Sequence, residues 1–355
     1  MYKYLLIYHE EDNDGLFSGA IFYDYLINNL NVDKKDIHLL GATYNSLNDF
    51  IKCHPIKEIQ NEYESIIMTD ISFNDASYMK QLYDLYGDKF IWCDHHKPII
   101  DESYKQKFDL CPGVRNTQKS AILCVYEFLY DTLNVKYSLI NNSPYSNIEI
   151  FPEYLRILSA WDSWSWDNEG FEKDLVRNVN KGTTFYYNLD MNKILPVVHE
   201  IISYYIDQYP NKDSIIEQQN IRNKMYDLGK SLNDYDDITM ENIIKTSGDK
   251  DWKVRIEDED KGRPLFISAC AIFHQGATNS LMFQSLKKSG IEIGLVFKHC
   301  PNGNWVLSMY NVRDEYWFHC GEFLKERYNG GGHKGAAGCT LSQEQFINIL
   351  QRREL

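Results

Sequence analysis

The run Trp92-Cys93-Asp94-His95-His96-Lys97-Pro98 sets an aspartate and two histidines directly after an apolar stretch, which core packing alone does not explain. Lys89-Phe90-Ile91-Trp92 reads as a short buried strand, so the triplet falls at a strand's C-terminal edge, where open α/β sheets place their ligands. Two further strand-like runs end in the same kind of residue. Tyr4 to Tyr8 leads into His9-Glu10-Glu11-Asp12-Asn13-Asp14-Gly15, and Ser65 to Thr69 leads into Asp70. Asp12 and Asp14, two apart in an extended turn, can direct carboxylates to one face, and Gly15 lets the backbone turn sharply into a helix. Taken alone, an acidic strand-to-helix turn is more often a helix N-cap. Three parallel strands that present Asp and His at one edge point instead to metal coordination. A further carboxylate, Asp162, lies in Leu158-Ser159-Ala160-Trp161-Asp162-Ser163-Trp164, an apolar setting in which an unpaired aspartate is costly and coordination removes the cost.

Carboxylates mixed with imidazoles, and no thiolate, favour Mn²⁺ or Mg²⁺ over Zn²⁺, with Fe²⁺ and Co²⁺ as competitors. Manganese is the expected ion. Two such ions about 3.5 to 4 Å apart clamp a phosphoryl oxygen and bring the pKa of a shared water toward neutrality for in-line attack on phosphorus. The chemistry expected is phosphoester hydrolysis.

A second constellation stands near the C-terminus: Asn329-Gly330-Gly331-Gly332-His333-Lys334-Gly335-Ala336-Ala337-Gly338. Successive glycines allow main-chain N–H groups to approach an anion, and His333 with Lys334 adds donors and charge at the same spot. A glycine run is often only a flexible turn, but the small residues that follow His333 are too tightly specified for a linker, so a phosphate or nucleotide cradle is expected. No Walker pattern occurs, which argues against a nucleotide-triphosphate motor.

The elements that must position these residues follow from periodicity. Strands are expected at Tyr4 to Tyr8, Ile37 to Leu40, Ser65 to Thr69 and Lys89 to Trp92, with amphipathic helices over Leu16 to Leu30 and Ala76 to Tyr86. That alternation predicts an N-terminal α/β domain built on a doubly wound parallel sheet. Helices are expected over Ile194 to Tyr205 and Asp213 to Leu232, and the Ser-Gly-Asp-Lys-Asp run at 247–251 marks a boundary. Strands at Leu265 to Phe273, Ile291 to Lys298 and Trp305 to Tyr310, with helices over Thr278 to Lys288 and Phe318 to Tyr328, predict a smaller C-terminal α/β domain. The expected division is 1–190, a helical linker at 191–250, and 251–355.

The acidic sites and the terminal loop, in this order, resemble the DHH phosphoesterase superfamily and its subgroup with a DHHA1 C-terminal domain, over nearly the whole chain. Within it, Ala160-Trp161-Asp162-Ser163-Trp164-Ser165-Trp166 and Leu307-Ser308-Met309-Tyr310 are most similar to the nanoRNase B-type oligoribonuclease and cyclic-nucleotide phosphodiesterase branch. The resemblance implies one metal on His9, Asp12 and Asp70, and another on Asp14, Asp70, His95 and Asp162, with Asp70 bridging. It implies that His96 faces the scissile phosphate and that Asp94 orients its neighbours, so Asp94, His95 and His96 form the catalytic triplet. The family's first motif is His-x-Asp-x-Asp, whereas here an extra residue separates His9 from Asp12. Tyr310 stands where many relatives of the other branch carry a phosphate-gripping arginine; Arg313 is the candidate substitute, and stacking on a base is the candidate role of Tyr310. Arg115 and Lys119 are further phosphate candidates, although solvated surface charge is the commoner role for each. Gly331, Gly332, His333 and Lys334 complete the expected substrate-binding set.

Whole-chain properties narrow the substrate. The 355 residues carry 37 basic and 51 acidic side chains, a formal charge of −14, which argues against tracking long nucleic acid through a basic groove. RecJ-type exonucleases add an oligonucleotide-binding domain for which there is no spare length, and manganese pyrophosphatases lack the Gly-Gly-Gly-His loop. Short oligonucleotides cleaved to nucleoside 5′-monophosphates are therefore the expected substrates. Cyclic mono- or dinucleotides are the alternative within the same chemistry, and a non-catalytic nucleotide sensor is the alternative outside it. Eight cysteines include no Cys-x-x-Cys pair, and neither a signal-peptide pattern nor an 18-residue apolar stretch occurs, so a cytoplasmic protein with no membrane partner is expected. A homodimer is compatible with these features.

Overall fold

Four apolar runs form the first sheet: β1 (Tyr2–His9), β2 (Ile37–Ala42), β3 (Tyr63–Thr69) and β4 (Phe90–Cys93), paired in the order β2-β1-β3-β4 and parallel throughout. The structure, a computed structural model, describes residues 2–131, 151–206, 212–258, 263–276, 282–313, 318–332 and 334–355. Because β1 lies between β2 and β3, the strand order reverses beside it, and the crevice at the C-terminal ends of β1 and β3 is the switch point at which such sheets bind ligands.

Both faces of this sheet are covered, which explains strands that are apolar without alternation. Leu6 and Tyr8 of β1 and Ile67 of β3 enter one core with α1 (Asn13–Asn28), whereas Leu5 and Ile7 of β1 and Ile66 and Met68 of β3 enter the other. The second core is closed by residues of α2 (Tyr44–Cys53), α3 (Ile56–Glu62), α4 (Ala76–Tyr86) and α5 (Lys97–Gln106). On the first face α6 (Ala121–Tyr126) runs into a π-helical turn at Glu127–Asp131. There follow α7 (Glu153–Asp162), α8 (Trp166–Glu169), α9 (Lys173–Tyr187), α10 (Met191–Ile206) and α11 (Lys212–Ser247). Ile194, Val198, Ile201 and Ile202 of α10 and Met225 of α11 belong to that first core.

The chain divides into two compact units, 1–232 and 233–355. The second holds a mixed sheet in the order β5-β6-β7-β8-β10-β9, built from β5 (Asp249–Asp258), β6 (Arg263–Phe273), β7 (Ile293–His299), β8 (Trp305–Asn311), β9 (Gly331–Gly332) and β10 (Ala336–Leu341). Among its described strands only β6 and β7 pair in parallel. Alternation is strict along β6: Ile267, Ala269 and Ala271 enter one core with residues of α12 (Cys320–Tyr328) and α13 (Gln343–Arg352), while Cys270 and Ile272 enter another with Ile244 and Phe283.

Most predicted elements are present within a few residues of their expected bounds. The helix expected over Thr278 to Lys288 is not formed as such: the described part of it holds only a 3₁₀ turn at Gln284–Leu286. Strands β5 and β10 and helix α13 were not anticipated. No helix among the described residues is long and apolar enough to cross a membrane.

Candidate active site

Each residue of the predicted cluster within the first unit sits just past a strand end or at a helix terminus. His9 ends β1, and Asp12 caps α1, its Oδ1 accepting from Gly15 N at 2.9 Å. Gly15 is required by space, since a Cβ there would lie 2.2 Å from the His9 carbonyl oxygen. His9 Nδ1–H donates to Ala42 O at 3.3 Å, and its Nε2 lies 3.5 Å from Asp12 Oδ2. The extra residue in the first motif therefore still leaves His9 and Asp12 side by side.

Asp70 follows β3 in the left-handed region, φ 58°, where only Gly, Asn and Asp are at ease. Its N–H donates to Cys93 O at 3.0 Å, which ties the end of β3 to β4. Asp94 is fully buried. Its Oδ1 accepts from the main-chain N–H groups of His95 (2.7 Å) and His96 (3.1 Å) and pairs with His96 Nδ1 at 2.7 Å, while its Oδ2 accepts from the Trp92 indole at 3.0 Å. With Nδ1 engaged, Nε2 is the nitrogen of His96 left for a ligand. Burial favours a neutral Asp94, yet the His96 charge and hydrogen bond outweigh it and hold the carboxyl below its ordinary value. Burial likewise opposes an imidazolium at His96, but Asp94 carries its pKa up to about 9.

His95 is the hub. Its Nε2 lies 3.2 Å from Asp70 Oδ1, 3.2 Å from Asp162 Oδ2 and 3.7 Å from Asp14 Oδ2. Asp162, the last residue of α7, reaches the same place from 67 residues away in sequence (162 against 95). Asp14 is positioned by a contact that sequence reading missed: its two oxygens accept from the backbone N–H groups of Ala121 (2.7 Å) and Ile122 (2.9 Å) at the start of α6.

These groups can accept divalent cations. Asp70, His95 and His96 bring ligand atoms within 4.8 Å of one another, and so do Asp14, His95 and Asp162. Asp70 Oδ1 and Asp162 Oδ2 are buried, and neither accepts a hydrogen bond. Burial, then the neighbouring charges of Asp14 and Asp12, push the Asp70 carboxyl well above its ordinary value. Burial and Asp14 push Asp162 up to about 8. Burial also raises Asp12. Buried carboxylates crowded to this degree without donors are what a cation resolves, and mixed carboxylate and imidazole donors suit a divalent metal ion.

Tyr44, at the first position of α2, was also missed. Its ring lies 5.8 Å from that of His9 and edge-on to His96 at 6.1 Å and 87°. Burial and then the charges of Asp94, Asp70 and Asp12 raise its pKa, so the phenol stays neutral. The signal was available: β2 ends at the same edge as β1 and β3, but it carries no Asp or His there.

Three other predicted residues, Arg115, Lys119 and Tyr310, are committed elsewhere. Arg115, expected to bind phosphate, donates to Trp92 O (2.9 Å), Asp109 O (2.8 Å) and Cys111 O (2.8 Å), so its guanidinium braces the loop after β4. Lys119 pairs with Glu127. Tyr310, expected to stack on a base, is 7% exposed and packs 6.2 Å from Phe283 in the second unit's core. Arg313 is exposed at the end of β8. Gly331 and Gly332 form the short edge strand β9 against β10; Gly332 has φ 137°, and a Cβ there would meet Ala336 O at 2.6 Å. Lys334 is exposed, and its carbonyl accepts from Asn311 Nδ2 (2.9 Å) and Cys320 N (3.1 Å). His333 lies outside the described residues.

No protein-family model matches the sequence, and no curated protein matches it. Solved structures do resemble the chain. The pGpG-specific phosphodiesterase PggH from Vibrio cholerae is 12% identical with a TM-score of 0.45, over 99% of this chain and 97% of that one. An exopolyphosphatase-related protein from Bacteroides fragilis is 15% identical with a TM-score of 0.45, over 99% and 91%. Exonuclease RecJ bound to manganese is 13% identical with a TM-score of 0.46, over 99% and 89%.

Proposed function

We propose that the chain is a DHH-type metal-dependent phosphodiesterase that hydrolyses short oligonucleotides to nucleoside 5′-monophosphates. One observation carries the reading: the buried, donorless oxygens of Asp70 and Asp162 converge on His95, beside Asp14 and His96, at the switch point of a parallel sheet. His9, Asp12 and Asp70 on one side, and Asp14, Asp70, His95 and Asp162 on the other, would hold the cations, which leaves His96 to face the phosphate. Bound Mn²⁺ or Mg²⁺ supplies Lewis-acid charge for the phosphoryl oxygens and an acidified water as nucleophile.

The chain's own groups do the rest. Asp94 fixes the His96 ring and keeps it protonated, so that His96 presents a charged donor to a phosphate oxygen where negative charge develops. Tyr44 packs against both His9 and His96 and keeps water from the β2 side of the imidazoles. In the second unit, the backbone around Gly331 and Gly332, with Lys334, is proposed to hold a further phosphate.

The test is Mn²⁺-dependent hydrolysis of 5′-labelled RNA of graded length, beside cyclic mono- and dinucleotides and 3′-phosphoadenosine 5′-phosphate. Rapid cleavage of the shortest oligomers with release of monophosphates is expected. Preference for a cyclic substrate would reassign the substrate, and no hydrolysis of any phosphoester would leave a sensor and overturn the enzymatic reading.

A further inference from the structure

Helices α6 and α7 meet through a buried pair of hydroxyls. Ser120, which caps the start of α6, donates from Oγ to Ser159 Oγ at 2.9 Å, and the two residues are 0% and 1% exposed. Around the pair the helices bury apolar side chains in one core, Ile122, Cys124 and Val125 from α6 and Leu155, Leu158 and Ala160 from α7. A hydrogen bond adds little net stability in such a place, because both hydroxyls give up water to make it. It does fix separation and direction, where aliphatic contacts tolerate sliding. Both ends of the bond lead to carboxylates of the cluster. Beyond Ser120, the N–H groups of Ala121 and Ile122 hold the two oxygens of Asp14 at 2.7 and 2.9 Å. Beyond Ser159, three residues on and on the same helix face, stands Asp162. The carbonyl of Ser159 accepts from Ser163 N (3.1 Å) and Ser163 Oγ (2.8 Å), which ties the end of α7 that carries Asp162 to Ser159 itself. Asp14 Oδ2 and Asp162 Oδ2 then approach the same atom, His95 Nε2, at 3.7 and 3.2 Å. The contacts close a ring: Asp14, α6, the hydroxyl pair, α7, Asp162, His95 and Asp14 again.

From this ring we infer that the Ser120–Ser159 bond sets the spacing of Asp14 and Asp162, which makes Ser159 a positioning residue for the cation those carboxylates share with His95. The inference rests on the cation-binding reading of the cluster and assigns to it a spacer that touches neither metal nor substrate. Metal–oxygen distances are tolerant to only about 0.2 Å. Asp14 cannot make up a change in spacing by swinging its side chain, since both of its oxygens are held by main-chain donors of α6. Any shift of α6 against α7 therefore reaches the cation directly. Asp12 is held separately, by the Gly15 N–H of its own turn, so a cation on His9 and Asp12 does not depend on Ser159.

The test follows Mn²⁺ binding to the metal-free full chain by calorimetry, with thermal melting as the check on folding. Wild type is expected to take up two ions in separable steps, and Asp162→Asn identifies the step that belongs to the Asp14 and Asp162 group. Ser159→Ala should weaken that step about 10-fold, the lower end of the effect of losing a group that orients a metal ligand from behind, and leave the other step unchanged. Ser159→Cys, similar in size but a poor hydrogen-bond partner, should weaken the same step and serves as the second variant should alanine not fold. A folded variant that binds both ions as wild type does, or that loses affinity for both alike, would overturn the inference, because the bond would then be one more core contact. A wild type that takes up no ion would refute the metal site and the spacer with it. Selective weakening in a protein that hydrolyses no phosphoester would support the spacer and defeat the hydrolytic reading, so the two fail separately.

Discussion

Replacing Asp70 by Asn separates a metal ligand from a structural aspartate, because the two roles move stability in opposite directions. Asp70 holds φ 58°, and Asn adopts that region readily, whereas Ala would add about 1–2 kcal/mol of left-handed strain. Asn is therefore the clean perturbation. In the metal-free protein Asp70 is a buried carboxyl with an oxygen that accepts no hydrogen bond, crowded by Asp14 and Asp12. Relief of one such buried, unsatisfied group is worth about 1–3 kcal/mol. A unit spanning 1–232 responds with about 2–4 °C per kcal/mol, so metal-free Asp70→Asn should melt about 2–12 °C above metal-free wild type. Manganese at 100 times its dissociation constant should add about 2.7 kcal/mol to wild type, or about 5–11 °C on the same scale, and most of that shift should vanish in the variant. Scanning calorimetry with and without Mn²⁺ reads both effects. A variant that melts lower without metal and keeps the manganese shift would refute the argument, since Asp70 would then be a structural hydrogen-bonding residue.

Other consequences are testable in the same preparation. Asp162 and His96 both have folded-state pKa values raised, to about 8 and about 9, so each contributes stability that is present at low pH and lost as pH rises through those values. Metal-free protein should lose melting temperature between pH 6 and 9, and the shift produced by Mn²⁺ should grow over that window; a pH-independent shift would contradict the site. Asp94→Asn should remove the charge that holds His96 protonated and cut turnover by about 100- to 1000-fold, the usual effect of losing a donor aimed at developing negative charge, read as kcat against pH. Arg115→Met should cost about 2–4 kcal/mol through the lost bonds to three buried-loop carbonyls, yet leave KM unchanged; a large rise in KM in folded protein would restore it as a phosphate ligand.

What could be read from sequence was whatever a few consecutive residues encode. The apolar runs ending at His9, Thr69 and Cys93 specified parallel strands buried on both faces, and parallel strands necessarily deliver their terminal residues to one edge, so His9, Asp12, Asp70 and the Asp94-His95-His96 triplet could be gathered from pattern alone. The mixed second sheet was harder, because β5 and β10 take their stability from antiparallel partners, and little in their local composition announces it. The electrostatics were harder still. That Asp14 is anchored by the N–H groups of Ala121 and Ile122, 107 and 108 residues away, that Asp162 meets His95, and that the Tyr44 ring lies beside both His9 and His96 are facts of long-range contact. The same holds for residues whose chemistry looked suitable but whose surroundings claim them: Arg115 could have bound phosphate until the carbonyls of Trp92, Asp109 and Cys111 are placed around it, and Tyr310 could have stacked on a base until Phe283 covers it. Residue type fixes what a side chain is able to do, but burial, charge and hydrogen-bond partners decide which of those capacities remains free, and these exist only once distant segments have packed.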